Sequence, residues 1–271
     1  MLRDKLVDRH VHRPGEFRWR SREISRLEGL SDAVFGFAIT LLIVALEVPR
    51  TSGELLETMH GFVSFGLTFA MLYALWYRQF LFFRRYGMED HVTAILNGAL
   101  LFVVLFFVFP LKFILGVLIN RLLGYGKMVR LPNGTLERAI RPEHFGPMMA
   151  IYGLGLSAVF AIFALLYAHA YRKREELGLN ELEIWDTRLS IESPAYGAGA
   201  GILVALQSYV VDLVDGKPYE RQAVIASMVV LYAYIGGMLY VTRKRRRQRK
   251  EMVKRLTELG ESTDEGPGFQ S

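Results

Sequence analysis

The chain has 271 residues, 52% hydrophobic and 22% charged, with a net charge of +6. It is too apolar for an ordinary soluble domain and too charged for bare spans, so it reads as several membrane-crossing helices joined by charged connections. The absence of cysteine excludes a disulfide framework, a thiolate metal site and a cysteine nucleophile. The positive charge flanks apolar runs instead of covering an exposed face, which argues against nucleic-acid binding.

Residues 1–25 are polar and basic, carry the breaker Pro14-Gly15, and contain no apolar core of a signal peptide. A first span is predicted over 30–48, stopped by Pro49; it is uncharged from Ala33 to Leu46 and long enough with its flanks to cross a bilayer. At about 100° per residue, Ala33, Phe37, Thr40, Leu41, Val44 and Val48 form one narrow stripe, and Asp32 points roughly the other way. A helix that merely anchors in lipid needs neither feature, so this one reads as lining something. Residues 51–60 read as a short acidic connection. A second span follows over 61–83, with Trp76, Tyr77 and Arg78 late in it and Arg84-Arg85 closing it. A third covers 91–119, with Asn97 early and Pro110-Leu111-Lys112 late.

Residues 121–145 form a long polar connection in which Pro132-Asn133-Gly134 reads as a turn, with a small hairpin around it. A fourth span is predicted over 148–171, an interfacial charged helix over 172–192, and a fifth span over 194–214. Gly197, Gly199 and Gly201 give that span a face for close helix contact. The sixth covers 223–241 and ends in the cluster from Arg243 to Arg247, a topology anchor on anionic lipid. Residues 251–271 read as a frayed polar tail. The basic segments fall mostly on one side, which the positive-inside rule makes cytoplasmic. That places the protein in the cell membrane with both ends in the cytoplasm.

The segment Arg26-x-x-x-Leu30-Ser31-Asp32-Ala33 resembles the Arg-x-x-x-Phe-Ser-Asp signature of the transmembrane protein 175 family of potassium channels, with Leu30 where the family usually has Phe. Trp76, Leu96-Asn97 and Phe109-Pro110 resemble further family positions. A His that commonly follows the family Trp is replaced here, with Arg78 and Gln79 as the residues at hand. The resemblance is specific over about residues 26–112. It implies an all-α, polytopic membrane protein with six transmembrane helices, assembled as a homotetramer with its pore lined by the first helix of each subunit. It also implies a channel passing potassium and other monovalent cations. Phe37 matches the innermost constriction, Thr40 the filter-region threonine, and Leu41 and Val44 the next layers outward. Arg26, Ser31, Asp32, Trp76 and Asn97 form the signature set, read as a polar network holding the first helix.

Read blandly, Ser31 is only a helix cap, Asp32 favours a helix start and Arg26 snorkels. Gly124-Tyr125-Gly126 lacks the preceding Thr-Val of a carbonyl filter and reads as a loop. No metal spacing, nucleophile elbow, phosphate loop or dinucleotide fingerprint appears, so no enzyme, cofactor or metal is expected. The division expected is 1–25 as a basic cytoplasmic segment, 26–242 as the channel domain and 243–271 as a basic then polar tail. The competing readings are a secondary transporter or proton-coupled exchanger, which would show broken helices and inverted repeats, and a membrane scaffold without transport.

Overall fold

A computed structural model describes residues 17–21, 23–44, 51–122, 128–130, 136–138, 142–214 and 220–264. The first helix, α1 (Arg26–Val44), starts earlier than expected. Its cap is Ser25, whose Oγ accepts the Glu28 N–H at 3.0 Å. Ser25-x-x-Glu28 has the spacing of a capping box. Ser31 is therefore not a cap; it lies inside the helix and gives its hydroxyl to the Leu27 carbonyl at 2.8 Å. The expected end of the span, with Val48 and Pro49, lies outside the described residues.

Residues expected as a plain connection instead form α2 (Ser52–His60). Past Gly53 the run Glu54-Leu55-Leu56-Glu57 is made of good helix formers. Then come α3 (Phe62–Tyr86), α4 (His91–Leu122), α5 (Pro142–Arg172), α6 (Glu181–Val214) and α7 (Glu220–Asp264). Between α4 and α5 the expected hairpin is present: Met128–Arg130 pairs antiparallel with Leu136–Arg138, Val129 opposite Glu137. Gly124-Tyr125-Gly126 and the hairpin turn lie outside the described residues. Among the described residues, four helices are long and apolar enough to cross a membrane: α1, and the stretches His91–Val117, Gly146–Arg172 and Glu181–Val210.

Two further boundaries differ from the sequence reading. The charged stretch after α5 is not a separate interfacial helix. After a turn over 173–178, α6 runs unbroken from Glu181 through Pro194. A proline removes one helical hydrogen bond, here to the Ser190 carbonyl, and packing of α6 against α5 on one side and α7 on the other offsets that loss. The tail is not frayed at residue 251 either, because α7 continues to Asp264. Arg249 binds Asp186 of α6 through two bonds of 2.5 and 2.7 Å, and Arg245 binds Glu192 at 3.0 Å. These ties hold the basic turns of α7 alongside α6.

α1 packs on α3 and α4, α4 on α5, and α5 along α6. The core collects Phe35, Ala38 and Leu42 of α1, Leu72 and Phe82 of α3, Leu100, Val104 and Val108 of α4, and Phe163 and Leu166 of α5. The α5–α6 seam brings backbones into contact. A Cβ at Gly153 would lie 2.5 Å from the Gly201 carbonyl oxygen, and one at Gly201 equally close to that of Gly153. Ser157 adds a hydroxyl bond to the Ala198 carbonyl at 2.9 Å. Gly201→Ala is expected to force the helices apart and to cost about 1–3 kcal/mol. Thermal unfolding in detergent checks this; an unchanged midpoint would mean that the seam is looser than drawn.

One end of the bundle is basic and tightly bonded. There α3 is closed by Gly87 in the left-handed region (φ 60°), its N–H bonded to Phe83 O, a conformation glycine adopts without penalty. Asp90 caps α4 by accepting the Thr93 N–H at 2.9 Å and meets His169 and Lys173 at 2.9 and 3.2 Å. Burial works against the charge of Asp90, but the Thr93 N–H, His169 and Lys173 outweigh it and hold the carboxyl well below the usual carboxylate range. The folded value is the depressed one. The stabilisation is therefore fully present above about pH 4, the ordinary unfolded value, and is lost as pH falls below it. The difference in unfolding temperature between wild type and Asp90→Ala is expected to narrow in that window; a constant difference down to acid pH would contradict it.

Candidate functional site

α1 has two chemically distinct sides. Glu28, Ser31, Phe35, Ala38 and Leu42 are buried. On the opposite side Phe37 is 57% and Val44 77% exposed, Ala33 and Thr40 are exposed, and Leu41 is half-buried. These are the positions of the stripe drawn from spacing, so it faces away from the subunit's own core. The Thr40 hydroxyl donates to the Phe37 carbonyl at 2.8 Å. Its proton is thus directed into the helix, and its lone pairs are free to face outward.

The buried side is fixed by a closed polar triangle among three helices. Asn97 of α4 donates from Nδ2 to Ser31 Oγ at 2.9 Å. Gln79 of α3 donates from Nε2 to Ser31 Oγ at 2.9 Å and also to Asn97 Oδ1. All three side chains are 2% exposed or less. Apolar helices slide past one another at little cost, whereas each buried polar group stranded by such a slip costs about 1–3 kcal/mol. The triangle therefore sets the register of α1 against α3 and α4. Gln79 Oε1 and the nearby Thr93 Oγ1 are buried with no hydrogen-bond partner among the described residues.

Asp32 lies on the flank of α1, exposed, and accepts the Trp76 indole N–H at 2.7 Å. Trp76 continues a run of ring contacts along α3, with Tyr73 at 5.3 Å and Phe80 at 5.7 Å. Arg26 is exposed, and among the described residues no bond joins it to Asp32 or to the triangle. Of the two residues that could stand for the family His, Arg78 turns to α5 and lies over the Phe163 ring at 5.5 Å. Gln79 enters the triangle. Neither bonds to Asp32. The signature thus divides into a pair, Asp32–Trp76, and a triangle, Ser31–Gln79–Asn97.

Sequence reasoning named Gln79 only as one of two residues at the family His position and gave it no place in the polar network. It missed Glu28, which is 2% exposed and pairs with Arg84 of α3 at 3.3 Å. The Trp76-x-x-Gln79 spacing, which puts both on one face of α3, was the available signal for Gln79.

A family model described as the endosomal/lysosomal potassium channel TMEM175 matches residues 26–108, a stretch holding the stripe, the pair and the triangle. A potassium channel of Marivirga tractuosa is 34% identical over 225 residues, which cover 82% of this chain and 88% of that protein. A potassium channel of Chamaesiphon minutus is 33% identical over 106 residues, 36% of this chain and 52% of that protein. Among solved structures, the crystal structure of a variant of the potassium channel MtTMEM175, bound to a nanobody–MBP fusion, matches with a TM-score of 0.69 at 31% identity. The match covers 85% of this chain and 97% of that one. Similarity thus extends well past residue 112, beyond the stretch whose motifs are specific, and describes a multi-pass membrane protein.

Proposed function

Because this chain belongs to the TMEM175 family of potassium channels, we propose that it is a potassium-permeable cation channel in which four copies set α1 around a common axis. The observation that carries this is the two-sidedness of α1: a buried polar triangle on one side and an outward stripe of Phe37, Thr40, Leu41 and Val44 on the other. One chain offers one such stripe, and an axial pore needs several. Phe37 forms the hydrophobic constriction. A narrow apolar ring dewets, and a dry segment excludes an ion whose hydration nothing replaces. The ring face could attract a cation, but a face-on geometry is hard to arrange for all four subunits at once. Thr40, one turn outward with its lone pairs unengaged, supplies the oxygens that favour potassium over sodium. The unbroken course of α1 through Gly36 supports a channel over an alternating-access transporter, whose sites are typically built from broken helices.

In this reading the basic end is cytoplasmic, because Arg84, Arg85, Arg172, Lys173, Arg174 and the cluster from Arg243 onward gather there. The membrane domain covers 26–242, with a basic segment before it, and the basic turns of α7 after it rest against anionic lipid. The test is potassium flux into liposomes containing the purified protein, with its mass measured in mild detergent. Flux with a mass of four times the 30.9 kDa chain supports the reading. Flux from a monomer overturns it.

A further inference from the structure

Residues 17–21 lie across the basic end as a strap, five residues ahead of α1. Phe17 is buried and meets Tyr86 edge-on at 5.4 Å. The backbone N–H groups of Arg20 and Ser21 both donate to the Arg84 carbonyl, at 3.0 and 3.4 Å. The strap is gripped mainly by one carboxylate, Glu183 in the first turn of α6, whose side chain is 0% exposed. Arg18 reaches it through its backbone N–H at 3.0 Å, Nε at 3.1 Å and Nη2 at 2.9 Å. Arg20 reaches it through Nη2 at 2.7 Å and Nη1 at 3.4 Å. The Asn180 N–H adds a bond at 3.1 Å. Arg20 also donates to the carbonyls of Leu177, Arg85 and Gly178.

A buried carboxylate is costly unless it is paired and bonded on all sides, and this one is spent on a segment outside the helices. That segment leads directly into α1. The grip has a second handle on the same helix: Arg84, whose carbonyl holds the strap, pairs through its guanidinium with Glu28 in the first turn of α1. Both ties pull the start of α1 toward α3 and α6, into the body of its own subunit. Resting on the reading of α1 as the pore helix, that direction is away from the shared axis.

We propose that Glu183 is a positioning residue for the pore: by holding Arg18 and Arg20 it keeps the start of α1 drawn back, and release lets α1 lean inward and close the path. The stripe itself is untouched, so the change falls on how often the channel opens and not on how it conducts once open.

The test is single-channel recording of the full-length protein in bilayers of neutral and anionic phospholipid. Glu183→Gln removes the charge while keeping the side chain's size. Open probability is expected to fall by about fivefold, at the low end of typical coupling between sites. Unitary conductance and the potassium-to-sodium reversal potential stay at wild-type values. Arg18→Gln with Arg20→Gln gives the same fall, and all three changes together add no further fall. Unchanged open probability in an assembled Glu183→Gln channel overturns the proposal, as does a fall accompanied by altered conductance. Should Glu183→Gln fail to assemble, Arg18→Lys with Arg20→Lys keeps the charge and loses the forked bonding; wild-type open probability in that variant also overturns it. Phe37→Ala recorded alongside separates the two readings. If it raises unitary conductance while Glu183→Gln does nothing, this proposal falls alone. If it leaves conductance unchanged, the pore assignment falls and this proposal with it.

Discussion

Phe37→Ala is expected to raise potassium flux by about tenfold or more. Under the proposed arrangement four Phe37 rings narrow the path to a hydrophobic constriction, and truncation to a methyl opens a gap that water fills. The barrier removed is the cost of stripping an ion of its hydration over a short dry segment; every 1.4 kcal/mol taken off it is about a factor of ten in rate. Phe37 is more than half exposed in the single chain, so its removal leaves the core of the subunit intact, and the melting temperature should stay close to wild type. Thr40→Ala is the companion. It removes an outward oxygen while keeping the helix, so flux should persist and the shift in reversal potential on replacing potassium by sodium should shrink. Stopped-flow flux in liposomes and reversal potentials in bilayers read the two. Unchanged flux in an assembled Phe37→Ala channel would mean that other residues line the path.

Asn97→Leu is expected to abolish correct assembly, whereas Asp32→Asn, one helix face away, is not. Asn97 sits in the closed triangle and is 0% exposed. Its loss removes a donor to Ser31 and an acceptor for one Gln79 N–H. Ser31 and Gln79 keep their bond to each other, but the triangle opens and a buried N–H is left unpaired, at a cost of about 1–3 kcal/mol. Asp32 is exposed and its one bond among the described residues is to the Trp76 indole. Asparagine keeps an oxygen that can accept it, so the tetramer should survive. Elution profile and melting temperature of both variants decide this. An Asn97→Leu protein that elutes and melts like wild type would show that apolar packing alone sets the register of α1.

The two sides of α1 are legible in the sequence, because a helix repeats every 3.6 residues and the stripe, apolar but for Thr40, lies away from Ser31 and Asp32. The meetings of Asp32 with Trp76 and of Ser31 with Asn97 were legible only through resemblance, since nothing in local spacing brings together residues 44 or 66 positions apart. Gln79 was legible only as one of two residues at the family His position, and its role is visible only once α1 and α4 are beside it. Ser25 escaped because the Ser31-Asp32 pair also looks like a helix start, while the capping box lies six residues earlier. Pro194 was over-read as the start of a new helix: proline removes a single bond, and neighbours on both sides outweigh it, so one helix runs from Glu181 to Val214. The strap on Glu183 was hidden for the same reason as the long α7. Arg18 finds its partner 165 residues away, and Arg249 finds Asp186 at a separation of 63. A basic run gives no sign of which distant acid will claim it.

The uninterrupted course of α7 has a mechanical consequence. Its 45 residues make a rod of about 67 Å at 1.5 Å per residue, roughly twice the hydrocarbon thickness of a bilayer. Beyond Thr242 about 22 residues, or some 33 Å, continue on the same axis, with no proline or glycine before Gly260 to act as a hinge. Such a rod converts small rotations into large displacements: a tilt of only 5° would carry its far end through about 3 Å. A spin label or fluorophore placed near the end of α7 would therefore act as a pointer, magnifying rearrangements of the helix bundle that are too slight to register at their origin.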